Sequence, residues 1–235
     1  MGDVIRRTAA ADDIFTDLNT AFEHARARGG KWKELAEERL GPVVALVNAT
    51  LTKVLASRAE VAPLDARAQA ADDRADRFLG KLSDDIWNAV GRPANDASLA
   101  ILFPGGFAYY AEGDDLEQPE RMDLLAELLE ANVHPRLGAG VAGEYAKSVR
   151  TEAAALRDAV QALAGPQVRL QLLERVRTSL ARSGQIELAN LKRRYKAEGF
   201  SESEIHTVIP DRPRPVTADR PAPVPAAGTP ARPNT

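Results

Sequence analysis

Apolar residues recur every three or four positions through most of the chain, the period that lays one stripe along an α-helix. Ile14, Leu18, Phe22 and Ala25 form the first stripe, with Asp12 or Asp13 as its cap and Arg26, Arg28 and the Gly29-Gly30 pair at its end. A second helix starts near Trp32, is interrupted or kinked at Gly41-Pro42, and continues through Val44, Val47, Leu51 and Val54. From Pro63 the rhythm is longer: Leu64, Ala68, Ala71, Ala75, Phe78 and Leu82, then a phase shift to Ile86 and Val90. This is the pattern of a coiled-coil seam with a stutter, and its small alanines let a neighbouring helix approach closely.

Downstream, Pro119 suits the first position of a helix carrying Leu124, Leu125, Leu128 and Leu129, which Asn132 and Pro135 end. Tyr145, Val149, Ala153, Leu156, Val160 and Leu163 predict a helix over 142–164. Gly165-Pro166 then predicts the stop and restart of a tight helical hairpin. The next helix uses Val168, Leu172, Val176 and Leu180 and stops at Gly184; another uses Leu188, Leu191 and Tyr195 and stops at Gly199. Ser201-Glu202-Ser203-Glu204 is a capping box, with Phe200 and Ile205 at hydrophobic-staple spacing, so a short last helix reaches Val208. The fold class is therefore all-α, a bundle of about seven helices with coiled-coil-like seams. Its linear organisation is an N-terminal amphipathic helix in 1–30, a bundle in 31–209 with an insert at 97–118, and a tail at 210–235.

The insert is where the helical rhythm fails. Leu99 to Ala111 places two short apolar runs on either side of Pro104, Gly105 and Gly106, which fits a small hairpin or a loop held between helices. Either form needs helices to cover Leu99, Ile101, Phe103, Phe107 and Tyr109, because a lone hairpin is marginal in water. Leu99, Phe103, Gly105, Gly106, Phe107, Tyr109 and Tyr110 are thus candidates for a core insert or a partner interface. The tail is Pro-, Ala-, Arg- and Thr-rich and cannot bury enough apolar surface to order itself, so disorder is expected; its two Pro-x-x-Pro matches start at Pro210 and Pro230.

Composition narrows the class. Hydrophobic residues make up 44% but aromatics only 5%, so the core must be mostly Ala, Leu and Val. The net charge of -3 argues against a protein that coats nucleic acid over its whole surface. No cysteine is present, which removes disulfides, thiolate metal sites and cysteine nucleophiles. No apolar run approaches the roughly 20 residues of a membrane span and the N-terminus lacks a signal-type apolar segment, so a cytoplasmic location is expected.

Four short stretches resemble functional motifs of known families. Gly105-Gly106-Phe107 after an apolar run resembles the oxyanion-hole loop of α/β-hydrolase esterases, although neither a leading His nor a Gly-x-Ser-x-Gly turn is present. Asp72-Asp73-Arg74-Ala75-Asp76 resembles the aspartate-rich motif of isoprenoid and terpene synthases, which implies Mg2+ held on a diphosphate by Asp72 and Asp76; the second metal motif is missing, and a solvated face with Asp73 paired to Arg77 is the plainer reading. Gly138 to Gly143 is similar to a dinucleotide-binding fingerprint without the preceding strand. The span 186–209 resembles a SAP-type helix-loop-helix DNA-binding module. His24, His134 and His206 are the only histidines and none follows a Glu at di-iron spacing; no metal or other cofactor is expected.

One charge cluster stands out. Arg169, Arg175, Arg177, Arg182, Lys192, Arg193, Arg194 and Lys196 face only Glu174 and Glu187, a set able to neutralise phosphates or to meet the acidic loop around Asp114, Asp115 and Glu117. The expected function is a non-catalytic interaction or assembly protein that buries a helical seam against itself or another protein. Nucleic-acid binding through 169–196 is the second reading, and a Mg2+-dependent enzyme acting through Asp72 and Asp76 the third.

Overall fold

A computed structural model describes residues 9–209, so the expected disordered tail and its Pro-x-x-Pro matches lie outside the described residues. Within them the chain is all-α, with eight helices and no strand: α1 Ala11–Arg28, α2 Gly30–Arg39, α3 Gly41–Ala89, α4 Ala97–Leu102, α5 Ala108–Ala111, α6 Gln118–Glu130, α7 Ala139–Ala197 and α8 Glu202–Val208. The described residues form two compact units, one of 9–44 with 181–209 and the other of 45–180.

In the first unit, α1 buries Ile14, Leu18, Ala21 and Ala25, close to the predicted stripe. Asp12 and Asp13 lie inside its first turn rather than at the cap, where their charge still favours the positive helix end. Gly29 and Gly30 have φ of 74° and 53°, a left-handed turn from α1 into α2 that glycine takes without strain. Trp32 stacks on Phe200 at 4.0 Å between centroids and meets Tyr195 at 4.4 Å. The Tyr195 hydroxyl donates to the Trp32 carbonyl (2.9 Å), and burial pushes the phenol's pKa up. The capping box forms as predicted: Glu204 N–H donates to Ser201 Oγ, while Ser201 N–H donates to Glu204 Oε2.

The second unit is built on α3 and α7, which run antiparallel: Arg58 of α3 ion-pairs with Glu174 of α7, and Arg74 with Glu152. Ala71, Ala75, Leu79, Leu82 and Ile86 of α3 pack with Ala146, Val149, Ala153 and Leu156 of α7. Met122, Leu125, Ala126 and Leu129 of α6 complete this core, as do Leu102, Phe103 and Tyr110 of the insert. Ala75, Ala146 and Ala153 are completely buried, which is the close approach that small residues permit.

Two predicted breaks do not occur. Gly165-Pro166 does not form a hairpin and Gly184 does not stop a helix; both lie inside α7, a single helix of 59 residues. The reason is register. The buried line through Leu163 continues in phase with Leu170, Leu173 and Leu180, so packing outweighs the carbonyl partner that Pro166 removes. Gly184 is buried against Leu18, where a side chain would collide. The predicted stripe Val168, Leu172, Val176 has the right period and the wrong phase: these three are 56%, 55% and 47% exposed.

Candidate interaction surfaces

The insert is helical, so the hairpin alternative is not formed. Asp96 caps α4 by accepting from Ser98 N–H (2.9 Å) and Leu99 N–H (3.2 Å), and Gly105 and Gly106 turn the chain at φ of 85° and 91° into α5. Tyr110 is fully buried; its hydroxyl donates to the Leu102 carbonyl at 2.6 Å, satisfying a last-turn acceptor of α4, and its ring meets Phe103 edge-on at 6.0 Å. Burial, with Tyr109 alongside, pushes its pKa up to about 12. The expected cover is therefore only partial. Phe103 and Tyr110 are core and Leu99 is half-buried, but Ile101, Phe107 and Tyr109 are 54%, 42% and 43% exposed. A helical turn sends alternate residues to different faces than a strand does, which is why this set splits. Phe107 lies over Gly80 of α3, and Tyr109 carries the Arg121 guanidinium 5.8 Å from its ring.

Beside the insert, Asp96 also faces His134 Nε2 (3.3 Å) and Arg136 Nη2 (3.5 Å), while the Arg136 Nη1 donates to the Val90 carbonyl. Burial would raise the Asp96 pKa, but the Leu99 and Ser98 amides and His134 more than offset it, so it lies below the usual carboxylate range. His134, read from the sequence as an ordinary surface or interhelix residue, is 1% exposed and belongs to this strut. An open cleft of about 550 Å3 lies next to it, lined by Ser83, Asp84, Trp87, Asn95 and Phe103 as well as Asp96. The Asp96 carboxylate is committed to the helix cap, to His134 and to Arg136, so it acts as a brace.

The aspartate-rich stretch sits on α3 with Asp72 and Asp76 half-buried. Burial, then Asp76, Asp115 and Asp73, raise the Asp72 pKa, and Asp76 accepts from the Gln118 amide (2.8 Å). No group of three candidate ligands that could hold a metal converges among the described residues. Asp73 and Arg77, expected to pair, form no ion pair among the described residues. The Gly138 to Gly143 stretch opens α7, and no strand precedes it among the described residues.

The basic set divides. Arg177 pairs with Glu174, and Lys192 and Lys196 both pair with Glu202 of α8. Arg169 and Arg175 of the second unit, and Arg182, Arg193 and Arg194 of the first, make no ion pair among the described residues. The expected meeting with the acidic loop is absent there: Glu117 pairs instead with Arg121, four residues on in the same stretch.

The surface that sequence reasoning missed is on the arm of the second unit, 45–61 of α3 beside 169–180 of α7. Within 45–61 burial is confined to Val47, Thr50, Val54 and Ser57, with Leu51 and Val61 half-buried, and the Ser57 hydroxyl has no hydrogen-bond partner among the described residues. Leu46 and Leu55 stay 53% and 64% exposed, and Lys53 is the only charge between Pro42 and Ser57. A helix that is apolar around most of its circumference is normally buried. Among the described residues no single helix is long and apolar enough to cross a membrane. Compared with known proteins, the chain matches no family model, no curated protein and no solved structure.

Proposed function

We propose that this is a non-catalytic assembly protein that works by burying the open face of the α3–α7 arm against another helical surface. The observation that carries this reading is the exposure of Leu46, Leu172 and Val176, each about half exposed, on helices whose opposite faces are already packed. Leaving such side chains in water forgoes roughly 1 kcal/mol or more apiece, which a helical partner would recover. A scaffold or adaptor role is consistent with core side chains that are spent on packing.

A second reading is favoured by one observation, the five arginines of α7 that make no ion pair among the described residues, which could contact phosphates. The discriminating experiment is a pull-down of the full chain from its native lysate, with and without nuclease, comparing the parent with a Leu172→Glu/Val176→Glu variant. Retention of the same proteins after nuclease, and their loss in the variant, supports assembly through the arm. Co-purification that disappears with nuclease and steep salt sensitivity moves the function to the arginines.

A further inference from the structure

The open face of the arm has an internal order that its exposure alone does not reveal. In α3 the buried line runs 47, 50, 54, 57, 61, the three-four spacing of a coiled-coil seam. One residue earlier at each step is a second line with the same spacing, Leu46, Ala49, Lys53, Ala56 and Glu60, all exposed. In α7 the inward line is 170, 173, 177, 180, and the residue before each of these is Arg169, Leu172, Val176 and Ser179, again all exposed. One residue back is a rotation of about 100°. Because α3 and α7 are antiparallel, the same rotation from their shared seam puts both second lines on the same side of the pair. The arm therefore has one flat side face carrying a complete unoccupied seam on each helix.

Charges on that face say what covers it. Lys53 and Glu60 are seven residues apart on one line of α3, both are exposed, and neither side chain has an ion-pair or hydrogen-bond partner among the described residues. A positive charge three residues before Ala56 and a negative charge four after it are close to self-complementary under a two-fold axis beside Ala56. We propose that this face docks a second copy of the chain, antiparallel, about a two-fold axis at the level of Ala56 and Val176, so that Lys53 of each copy meets the partner's Glu60. This rests on the assembly reading and names its partner. Arg58 reaches Glu174, so Val176 lies near the level of Ala56 and packs on the partner's Val176, with Leu172 beside it. Ala49 and Ala56 let the two α3 helices approach closely. The other two-fold arrangement, α3 against the partner's α7, sets Glu60 against Leu172 and Lys53 against Ser179, so neither charge meets an opposite charge at its own level. The face is about 25 Å long and about 20 Å wide, enough for the lower end of specific interfaces, so a reversible dimer is expected.

The test uses the full chain, whose lack of cysteine makes introduced thiols unique. Sedimentation equilibrium from about 1 to about 200 µM gives the dimer constant. Lys53→Glu or Glu60→Lys alone sets like charges together twice and should weaken the dimer about tenfold or more; the double swap restores both pairs and should return it to within about threefold of the parent. Ala56→Cys should oxidise to a covalent dimer, because it lies at the two-fold axis, whereas Ala62→Cys, on the opposite side of α3, should not. Circular dichroism checks that each exposed variant keeps its helix content. A dimer indifferent to the single swaps, or unrestored by the double swap, overturns the proposal, as does a parent that stays monomeric throughout. In the monomeric case the pull-down separates the two ideas: proteins still lost from Leu172→Glu/Val176→Glu leave the assembly reading standing with a different partner, and no loss removes both.

Discussion

At the scale of single residues, two tyrosines and one glutamate carry the sharpest tests. Tyr110→Phe keeps the ring in its edge-on contact but leaves the Leu102 carbonyl without its donor in a buried position. The expected cost is about 1–2 kcal/mol, seen as a lower urea midpoint, while Tyr109→Phe, on a half-exposed ring, should leave the midpoint unchanged. Glu202 accepts from Lys192 and Lys196, which together hold its pKa near 2 against an ordinary 4.5. Its folded value is depressed, so its contribution is present above the unfolded pKa and is lost as pH falls from about 4.5 to about 2. Denaturant midpoints measured across that window should therefore fall less steeply for Glu202→Gln than for the parent. The Lys196–Glu202 pair is solvent-exposed, so added salt should shrink the difference.

At the scale of elements, α7 contains a proline that its packing tolerates and a glycine that its packing requires. Pro166 removes one carbonyl partner inside a continuous helix, so Pro166→Ala should stabilise the protein by about 1–3 kcal/mol, raising the thermal midpoint. Should the midpoint fall, the helix is not continuous through Gly165-Pro166. Gly184 answers in the opposite sense. A Cβ there enters the space of Leu18, which is 1% exposed and has little room to turn, so Gly184→Val should cost about 1–3 kcal/mol despite the better helix propensity. Differential scanning calorimetry of the two variants side by side reads both signs.

At the scale of the whole molecule, a dimer that forms only from folded chains couples stability to concentration. The thermal midpoint of the parent should rise as loading increases, and Lys53→Glu should flatten that dependence at unchanged helix content. Leu172→Glu should do the same by placing a charge in the seam. A concentration-independent midpoint in the parent would speak against self-association under any register.

The three-to-four rhythm was enough to determine that the chain is all-helical, because the apolar stripes of α1, α3 and α6 and the Ser201 box are local signals that each helix carries in its own sequence. Local signals could not decide continuity. Gly165-Pro166 and Gly184 are stop signs in isolation, and they are overridden because Leu163, Leu170, Leu173 and Leu180 remain in phase against α3. Nor could they decide which of two apolar stripes on the same helix faces inward: Val168, Leu172 and Val176 have the same period as the buried line and differ from it only in rotation. That choice and the split of the aromatic insert into Tyr110 inside and Tyr109 outside depend on which distant segment lies alongside. Period is a property of the chain's own order; phase is set only when another helix supplies the surface against which one side is dry.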